Sequence, residues 1–163
     1  MEQELKRRIY ENYNLHATRY EDISVEGLKR WLGYYRVHYL GLLSLDKNAR
    51  ILDIGCGYGR MLYFLKSKGF KNFYGIDVSR EQIDTAIKNG FNQVECSSAF
   101  NFLENKKEQF DTIIMMDVLE HIEKPDVLKL LDKTYSSLKK GGSLILQLPN
   151  GLTPFNVFLY QDF

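Results

Sequence analysis

The segment from Asp53 to Met61 constrains the fold more than any other part of the chain. It follows the apolar pair Ile51-Leu52 and reads Asp-Ile-Gly-Cys-Gly-Tyr-Gly-Arg-Met, and the residues after it have the apolar spacing of a helix. A strand that ends at an acidic residue and a glycine-rich turn, followed by a helix, is typical of nucleotide sites. Glycines let the backbone approach a ligand closely, and the helix N-terminus presents unpaired N–H groups. The sequence therefore predicts a ligand site at this turn.

The spacing of the glycines separates two classes of nucleotide site. A dinucleotide-binding turn reads Gly-x-Gly-x-x-Gly, and its third glycine allows the helix to pack closely on the strand. Here the third glycine, Gly59, comes one residue early, and Arg60 stands where a very small side chain is required. This spacing disfavours an NAD(P)-dependent oxidoreductase, which remains an alternative. A purely structural turn between strand and helix is the other alternative for this segment alone.

The composition excludes several classes of protein. A chain of 163 residues with 44% hydrophobic and 26% charged residues is typical of one globular domain with a sizeable core. The net charge is +1, and no basic run is long enough for a nucleic-acid surface. Cys56 and Cys96 lie far apart, which indicates a reducing compartment, and the charged start does not resemble a signal peptide. Because no apolar run is long enough to span a membrane, we predict a cytoplasmic protein.

Strands alternate with helices along the rest of the chain, the pattern of a parallel sheet with right-handed crossovers. An amphipathic helix is expected within residues 25–43, with Trp31 in the core. Pro125 suits the first turn of a helix that runs to about Leu138 and is ended by Gly141-Gly142. After the strand that precedes the glycine turn, apolar runs predict four more strands, at residues 72–77, 91–97, 110–116 and 143–148.

Asp77 is a second acidic residue at the end of a predicted strand. It lies 18 residues beyond Gly59, close to where an open α/β sheet places the acid that binds two ribose hydroxyls. A carboxylate suits this role because it can accept two hydrogen bonds at once. Ser79 and Gln82 have the spacing of a capping box, so the following helix does not need Asp77 as its cap.

The glycine turn, Asp77 and two later segments together resemble the ordered motifs of the class I S-adenosylmethionine-dependent methyltransferases. Residues 110–121 are similar to the fourth-strand motif of that family, and residues 138–144 to its Leu-x-Pro-Gly-Gly turn before strand five. The resemblance covers roughly residues 50–150. It implies an α/β fold: a Rossmann-like open parallel sheet of order 3-2-1-4-5, with helices on both faces. It also implies S-adenosyl-L-methionine as cofactor and S-adenosyl-L-homocysteine as product.

The chain departs from the family pattern in three places. Ser97-Ser98-Ala99 stands where the family often has an aspartate that contacts adenine, so a serine hydroxyl or a backbone group is expected there. Lys140 replaces the usual proline before strand five. The family sheet has seven strands, ordered 3-2-1-4-5-7-6, whereas five are predicted here. Strands 6 and 7 are therefore expected to be absent, and the chain to be a fragment or a domain that is not a complete enzyme.

The resemblance also implies roles for individual residues. His121 is the expected catalytic base, because imidazole exchanges protons readily near neutral pH, and Asp117 is expected beside it. The alternative is a histidine satisfied inside the helix after strand four. The residues expected to contact the cofactor are Asp53, Gly55, Cys56, Gly57, Asp77, Val78, Ser98, Ala99, Met116 and Arg19.

Asp117, Glu120 and His121 form a D-x-x-E-H segment that could hold a cation. Asp117 and Glu120 would share one face if the segment were helical. The segment is similar to the E-x-x-E-H of ubiquinone-type O-methyltransferases, in which a divalent cation has a role. Oxygen ligands plus one imidazole could hold Mg²⁺, but we favour a structural role for Glu120 and predict no metal.

The domain prediction is one methyltransferase-like domain over residues 1–163. It comprises a helical lid or cap at 1–43, a cofactor-binding core at 50–150 and a truncated tail at 151–163. The expected reaction is O-methylation of a small molecule or a sugar-containing metabolite, the latter because residues 149–151 resemble a sugar-modifying subset. The alternative is a domain that binds the cofactor without catalysis. The apolar tail and the edge of strand five are expected to be covered by the tail itself or by a second copy in a homodimer.

Overall fold

A computed structural model of the chain describes residues 22–150. The predictions for Arg19, for the first part of the lid and for the apolar tail at 151–163 lie outside these residues. Within residues 22–150, no helix is long and apolar enough to cross a membrane.

Five parallel strands form one open sheet in the order β3-β2-β1-β4-β5, which confirms the predicted topology. The central strand β1 is buried along its whole length, because helices cover both faces of the sheet. Strand β5 pairs only with β4 in the described part of the chain, so it forms an edge. The strands are β1 Ile51–Ile54, β2 Phe73–Asp77, β3 Val94–Cys96, β4 Phe110–Met116 and β5 Leu138–Gln147.

Six α-helices and two short 3₁₀ helices surround the sheet in residues 22–150. Their capping follows the sequence: the Ser24 and Ser79 hydroxyls accept hydrogen bonds from Gly27 N and Gln82 N at the starts of the first and fourth helices. The α-helices are α1 Val25–Arg30, α2 Leu32–His38, α3 Arg60–Ser67, α4 Arg80–Lys88, α5 Ala99–Phe102 and α6 Lys124–Ser137, and the 3₁₀ helices are Leu40–Leu42 and Leu119–His121.

Two apolar clusters hold the layers together, one on each face of the sheet. Successive residues of a strand point to opposite faces, so Ile51 joins one cluster and Leu52 the other. The first cluster contains Tyr35 of α2 and Phe64 of α3, and the second contains Leu130 of α6. Full burial of each such side chain contributes about 1.5–3 kcal/mol to the free energy of unfolding.

The predicted helix within residues 25–43 is broken at Trp31. The Trp31 N–H bonds Leu28 O at 3.2 Å, a tight turn that ends α1 and redirects the chain so that Leu28 and Tyr35 both reach the core. The Trp31 ring itself is half-buried, and the Arg60 guanidinium lies 4.3 Å above it. Trp31 was predicted to be a core residue. One side of its ring does pack against the core, but the other side lines a cavity.

The predicted role of Gly141-Gly142 as the stop of helix α6 is corrected, whereas the predicted end at about Leu138 agrees with the structure. The helix ends at Ser137, and the segment with Gly141-Gly142 belongs to β5 rather than to a helix stop. The Asp111 carboxylate, which accepts from Arg50 N at 2.7 Å and from Lys139 Nζ at 2.7 Å, holds this segment on the sheet. The pairing is irregular there and becomes a regular ladder only from Ser143, where the sequence predicted the strand.

Candidate functional site

A cavity of about 570 Å³ lies at the carboxyl ends of β1, β2 and β4, where open parallel sheets bind their ligands. Every predicted site residue within 22–150 lines this one cavity, although they come from four separate turns. The predicted residues that line it are Asp53, Gly55, Cys56, Gly57, Asp77, Val78, Ser98, Ala99, Met116, Asp117 and His121.

The glycine turn after β1 has a conformation that other residues do not fit. Gly55 has φ +75°, and a Cβ there would lie 2.4 Å from Cγ2 of Val118. The N–H groups of Gly55 and Cys56 donate to Ile76 O at 2.8 and 3.0 Å, which fixes the turn against β2. The glycine at position 55 therefore leaves a concave backbone surface that faces the cavity.

Asp77 joins the turns after β1 and β2. Its Oδ2 accepts from Gly57 N at 2.9 Å and its Oδ1 from Ser79 N at 2.8 Å. Burial raises the pKa of the Asp77 carboxyl, and the hydrogen bonds from Ser79 and Gly57 offset part of that effect. Each carboxylate oxygen can accept a second hydrogen bond, so the group can also serve a ligand in the cavity.

Asp53 is the most unusual group in the cavity wall. Its side chain is 3% exposed, and its Oδ2 has no hydrogen-bond partner in the described part of the chain. Burial, and next the negative charge of Asp77, raise the pKa of Asp53 well above its usual range. Burial likewise raises the pKa of the neighbouring Cys56 thiol. A buried polar atom without a partner is costly, so this position suits a ligand that donates a hydrogen bond.

An apolar slot lies on the side of the cavity between β2 and α5. Val78 follows β2 and is half-exposed, and Ala99 at the start of α5 is buried. The Ser98 hydroxyl accepts from Asn101 N at 3.2 Å as the cap of α5, and it retains a hydrogen to donate. This slot can hold a flat apolar group with a polar edge.

His121 is exposed at the cavity, at the end of a 3₁₀ turn. A histidine satisfied in the helical turn after β4 stays the alternative to a catalytic base. Asp117 is not helical: it has φ +54°, so it does not share a helical face with Glu120. Within the described ranges, no group of three His, Cys, Asp or Glu side chains could hold a metal ion.

Sequence reasoning missed two parts of the cavity wall. Trp31, Tyr34 and Tyr35 form an aromatic wall that carried no recognisable signal, because their spacing is also that of a core helix. Gln147, at the end of β5, also lines the cavity. It could have been found, since it ends the strand beside β4 and the carboxyl ends of parallel strands share one edge.

Known proteins resemble this chain over most of its length. The sequence model of a family described as a methyltransferase domain matches residues 29–156. Phosphoethanolamine N-methyltransferase 3 of Arabidopsis thaliana is 28% identical over 134 residues, which cover 78% of this chain and 27% of that protein. Ubiquinone biosynthesis O-methyltransferase of Rickettsia bellii is 32% identical over 117 residues, which cover 69% of this chain and 45% of that protein.

The fold has a similar counterpart among solved structures. The crystal structure of a SAM-dependent methyltransferase from Archaeoglobus fulgidus superimposes with a TM-score of 0.71 at 24% sequence identity. The superposition covers 82% of this chain and 58% of that one. The chain thus spans less than half of the two curated relatives and somewhat more than half of the solved structure.

Proposed function

Because this chain belongs to the family of class I S-adenosylmethionine-dependent methyltransferases, we propose that it binds S-adenosylmethionine and methylates a small molecule at oxygen. The observation that carries the proposal is the Asp53 carboxyl, buried in the cavity wall with an unpartnered Oδ2 beside the glycine turn. A cavity of about 570 Å³ is within the usual size range of small-molecule sites.

The cavity residues fit the cofactor group by group. The backbone from Gly55 to Gly57, with the Asp53 carboxyl behind it, suits the amino-acid end, whose ammonium can donate to the unpartnered oxygen. Asp77 suits the ribose hydroxyls. The apolar slot suits adenine: Val78 would pack on the ring, with Ser98 or Ala99 at its edge. Cys56 and Met116 complete the wall, and Arg19 stays in the proposal although it lies outside residues 22–150.

Two side chains of this protein can act on the acceptor. When bound, S-adenosylmethionine would supply an activated methyl group on a positively charged sulfur, which is a good leaving group. The exposed imidazole of His121 is placed to accept the proton that the acceptor hydroxyl loses. A positioned base of this kind typically contributes about 10²- to 10⁴-fold to the rate. The carboxylate of Asp117 can accept a hydrogen bond from the same hydroxyl group.

We further propose that the methyl acceptor is an oxygen and not a nitrogen atom. Relatives are named both as N- and as O-methyltransferases, and we favour oxygen because His121 and Asp117 can each accept a hydrogen bond from a hydroxyl group. We also propose a sugar-containing metabolite as an acceptor, because residues 149–151 resemble those of a sugar-modifying subset of the family. Both cysteines are free thiols, which supports our proposal of a reducing, cytoplasmic compartment.

Calorimetry with the full chain tests this function. S-adenosylhomocysteine should bind saturably and NAD should not bind, because the glycine spacing disfavours a dinucleotide. Transfer of a labelled methyl group from S-adenosylmethionine to a panel of phenols and sugars would then identify an acceptor. Binding of NAD alone would support the oxidoreductase alternative. Cofactor binding without transfer to any compound would support the non-catalytic one.

A further inference from the structure

Three polar side chains meet around the amide of Gln147 at the mouth of the cavity. Nε2 of Gln147 lies 3.1 Å from both carboxylate oxygens of Asp117 and donates to them. Oε1 of Gln147 accepts from the hydroxyl of Tyr34 at 3.2 Å and also from that of Tyr39. We call Tyr34, Tyr39, Asp117 and Gln147 the Gln147 cluster.

The chemistry of the partners fixes the orientation of the amide. A carboxylate can only accept, so the Gln147 nitrogen must face Asp117, and the two tyrosine hydroxyls can then donate to the amide oxygen. Those two hydroxyls occupy both lone pairs of that oxygen. Each oxygen of Asp117, in contrast, can accept one more hydrogen bond, and Asp117 is exposed at the cavity.

Asp117 has a backbone conformation that few residues with a side chain adopt, although aspartate is among those that tolerate it. Its φ of +54° lies in the left-handed region, where a residue with a side chain costs about 1–2 kcal/mol. A hydrogen bond from Asp117 N to Gln147 O at 3.0 Å stabilises this conformation. Asp117 is thus held at two points, backbone and side chain, by the same residue of β5. Such conformations are frequent at functional sites.

We propose that Gln147 is a positioning residue, which holds the Asp117 carboxylate so that it accepts a hydrogen bond from the hydroxyl group that is to be methylated. The proposal rests on the proposed function and deepens it, because it states how the acceptor is recognised. A methyl ether, the product of O-methylation, has lost the hydrogen that Asp117 accepts. The cluster therefore favours the unmethylated acceptor over its own product.

Phenol and anisole are suitable probes, because they share one ring and differ only in hydroxyl against methoxy. We expect the full chain, saturated with S-adenosylhomocysteine, to bind phenol about tenfold more tightly than anisole, the effect of one hydrogen bond to a charged group. Chemical-shift titration measures both affinities. The same titration without S-adenosylhomocysteine gives the preference independently of cofactor binding.

Two variants separate positioning from simple structural support. Gln147→Glu keeps an oxygen for Tyr34 and Tyr39 but has no N–H for Asp117, and Gln147→Met removes the polar group without adding charge. In both, the preference for phenol should fall to within about twofold of unity while affinity for S-adenosylhomocysteine stays unchanged. Tyr135→Phe is the matched control: it removes an exposed tyrosine hydroxyl on α6 that does not line the cavity, and it should keep the preference.

Three results would overturn the proposal. One is equal binding of phenol and anisole by the unmodified chain. Another is a preference that survives in both Gln147 variants. The third is an equal loss of affinity for phenol and anisole in the Gln147 variants, together with a lowered melting temperature, since this indicates that Gln147 has only a structural role. A failure of S-adenosylhomocysteine to bind would instead contradict the proposed function, and the two failures are therefore distinguishable.

Discussion

Asp77 is the residue whose replacement should most directly weaken cofactor binding. In the proposed site, Asp77→Ala would leave the ribose hydroxyls without their acceptor, and it also removes the acceptor of the Gly57 and Ser79 N–H groups. We expect affinity for S-adenosylhomocysteine to fall by about 1–3 kcal/mol in calorimetry. Asp84→Ala, an exposed position on α4 away from the cavity, is the control. Unchanged affinity in a folded Asp77→Ala protein would remove Asp77 from the site.

Asp53 should make the protein less stable as the pH rises. Burial and the charge of Asp77 raise the folded-state pKa of Asp53 above its usual 3.8, so the folded state holds a proton that the unfolded state releases. Stability then falls as pH increases from about 3.8 toward the raised value. Asp53→Asn cannot ionise, and we expect it to be more stable than the original chain by about 1–3 kcal/mol at neutral pH.

Thermal unfolding as a function of pH measures this effect. The advantage of Asp53→Asn should be present at neutral pH and disappear in acid, where the carboxyl of the original chain is protonated. The same variant should bind S-adenosylhomocysteine more weakly, because an amide cannot pair with an ammonium as a carboxylate does. A pH-independent difference in melting temperature would show that folding does not shift the pKa of Asp53.

His121 is expected to affect the rate and not the fold. Because it is exposed, His121→Ala should change the free energy of unfolding by less than about 0.5 kcal/mol. Turnover on an acceptor identified by the panel should fall by about 10²- to 10⁴-fold, while cofactor affinity is retained. His38→Ala, an exposed histidine of α2 that does not line the cavity, is the matched control. Full activity of the His121→Ala variant would exclude His121 as the catalytic base.

Among single residues, those at the ends of strands could be predicted from the sequence as lining the cavity. Asp53, Asp77 and Asp117 could be placed because the carboxyl ends of parallel strands meet at one edge. Their partners could not be predicted in the same way. The contact of Gln147 with Tyr34 spans 113 residues, and no local pattern encodes such a pair.

At the scale of elements, the packing of helix α3 on the sheet should be sensitive to a methyl group added to strand β2. A Cβ on Gly75 of β2 would lie 2.8 Å from Sγ of Cys56 and 3.0 Å from Leu62 of α3. We expect Gly75→Ala to destabilise the fold by about 1–3 kcal/mol in chemical denaturation. Gly33→Ala in α2, with open space around it, should instead stabilise by up to about 1 kcal/mol. A neutral Gly75→Ala would show that α3 can move away from β2.

Element boundaries were predictable where local chemistry decides them. The sequence places β4 at residues 110–116, as observed, because a strand buried on both faces is apolar along its length. The predicted start of β5 at Ser143 was too late, because residues 138–142 are held on the sheet by the ion pair of Asp111 with Lys139, formed only when the sheet assembles. The break at Trp31 likewise depends on packing against the core and not on helix propensity.

At the scale of the whole molecule, strand β5 is an exposed apolar edge of the sheet in the described part of the chain. Strand β5 has β4 on one side only, and Leu146 is 41% exposed. We expect the full chain to associate as its concentration rises, measured by light scattering, and Leu146→Lys to reduce the association. Leu128→Lys on α6 removes an exposed leucine elsewhere and should have no effect. A clean monomer of the unmodified chain at all concentrations would contradict this expectation.

The Gln147 cluster also affects the order in which the molecule is made. Tyr39 precedes Gln147 by 108 residues, so the ribosome needs roughly 5–20 s to add the partner that closes the cavity wall. Until then, α2 emerges with tyrosines whose hydroxyls have not met the end of β5. Contacts of such long sequence separation form late in folding. The nascent chain therefore completes its glycine turn well before the acceptor side of the cavity exists.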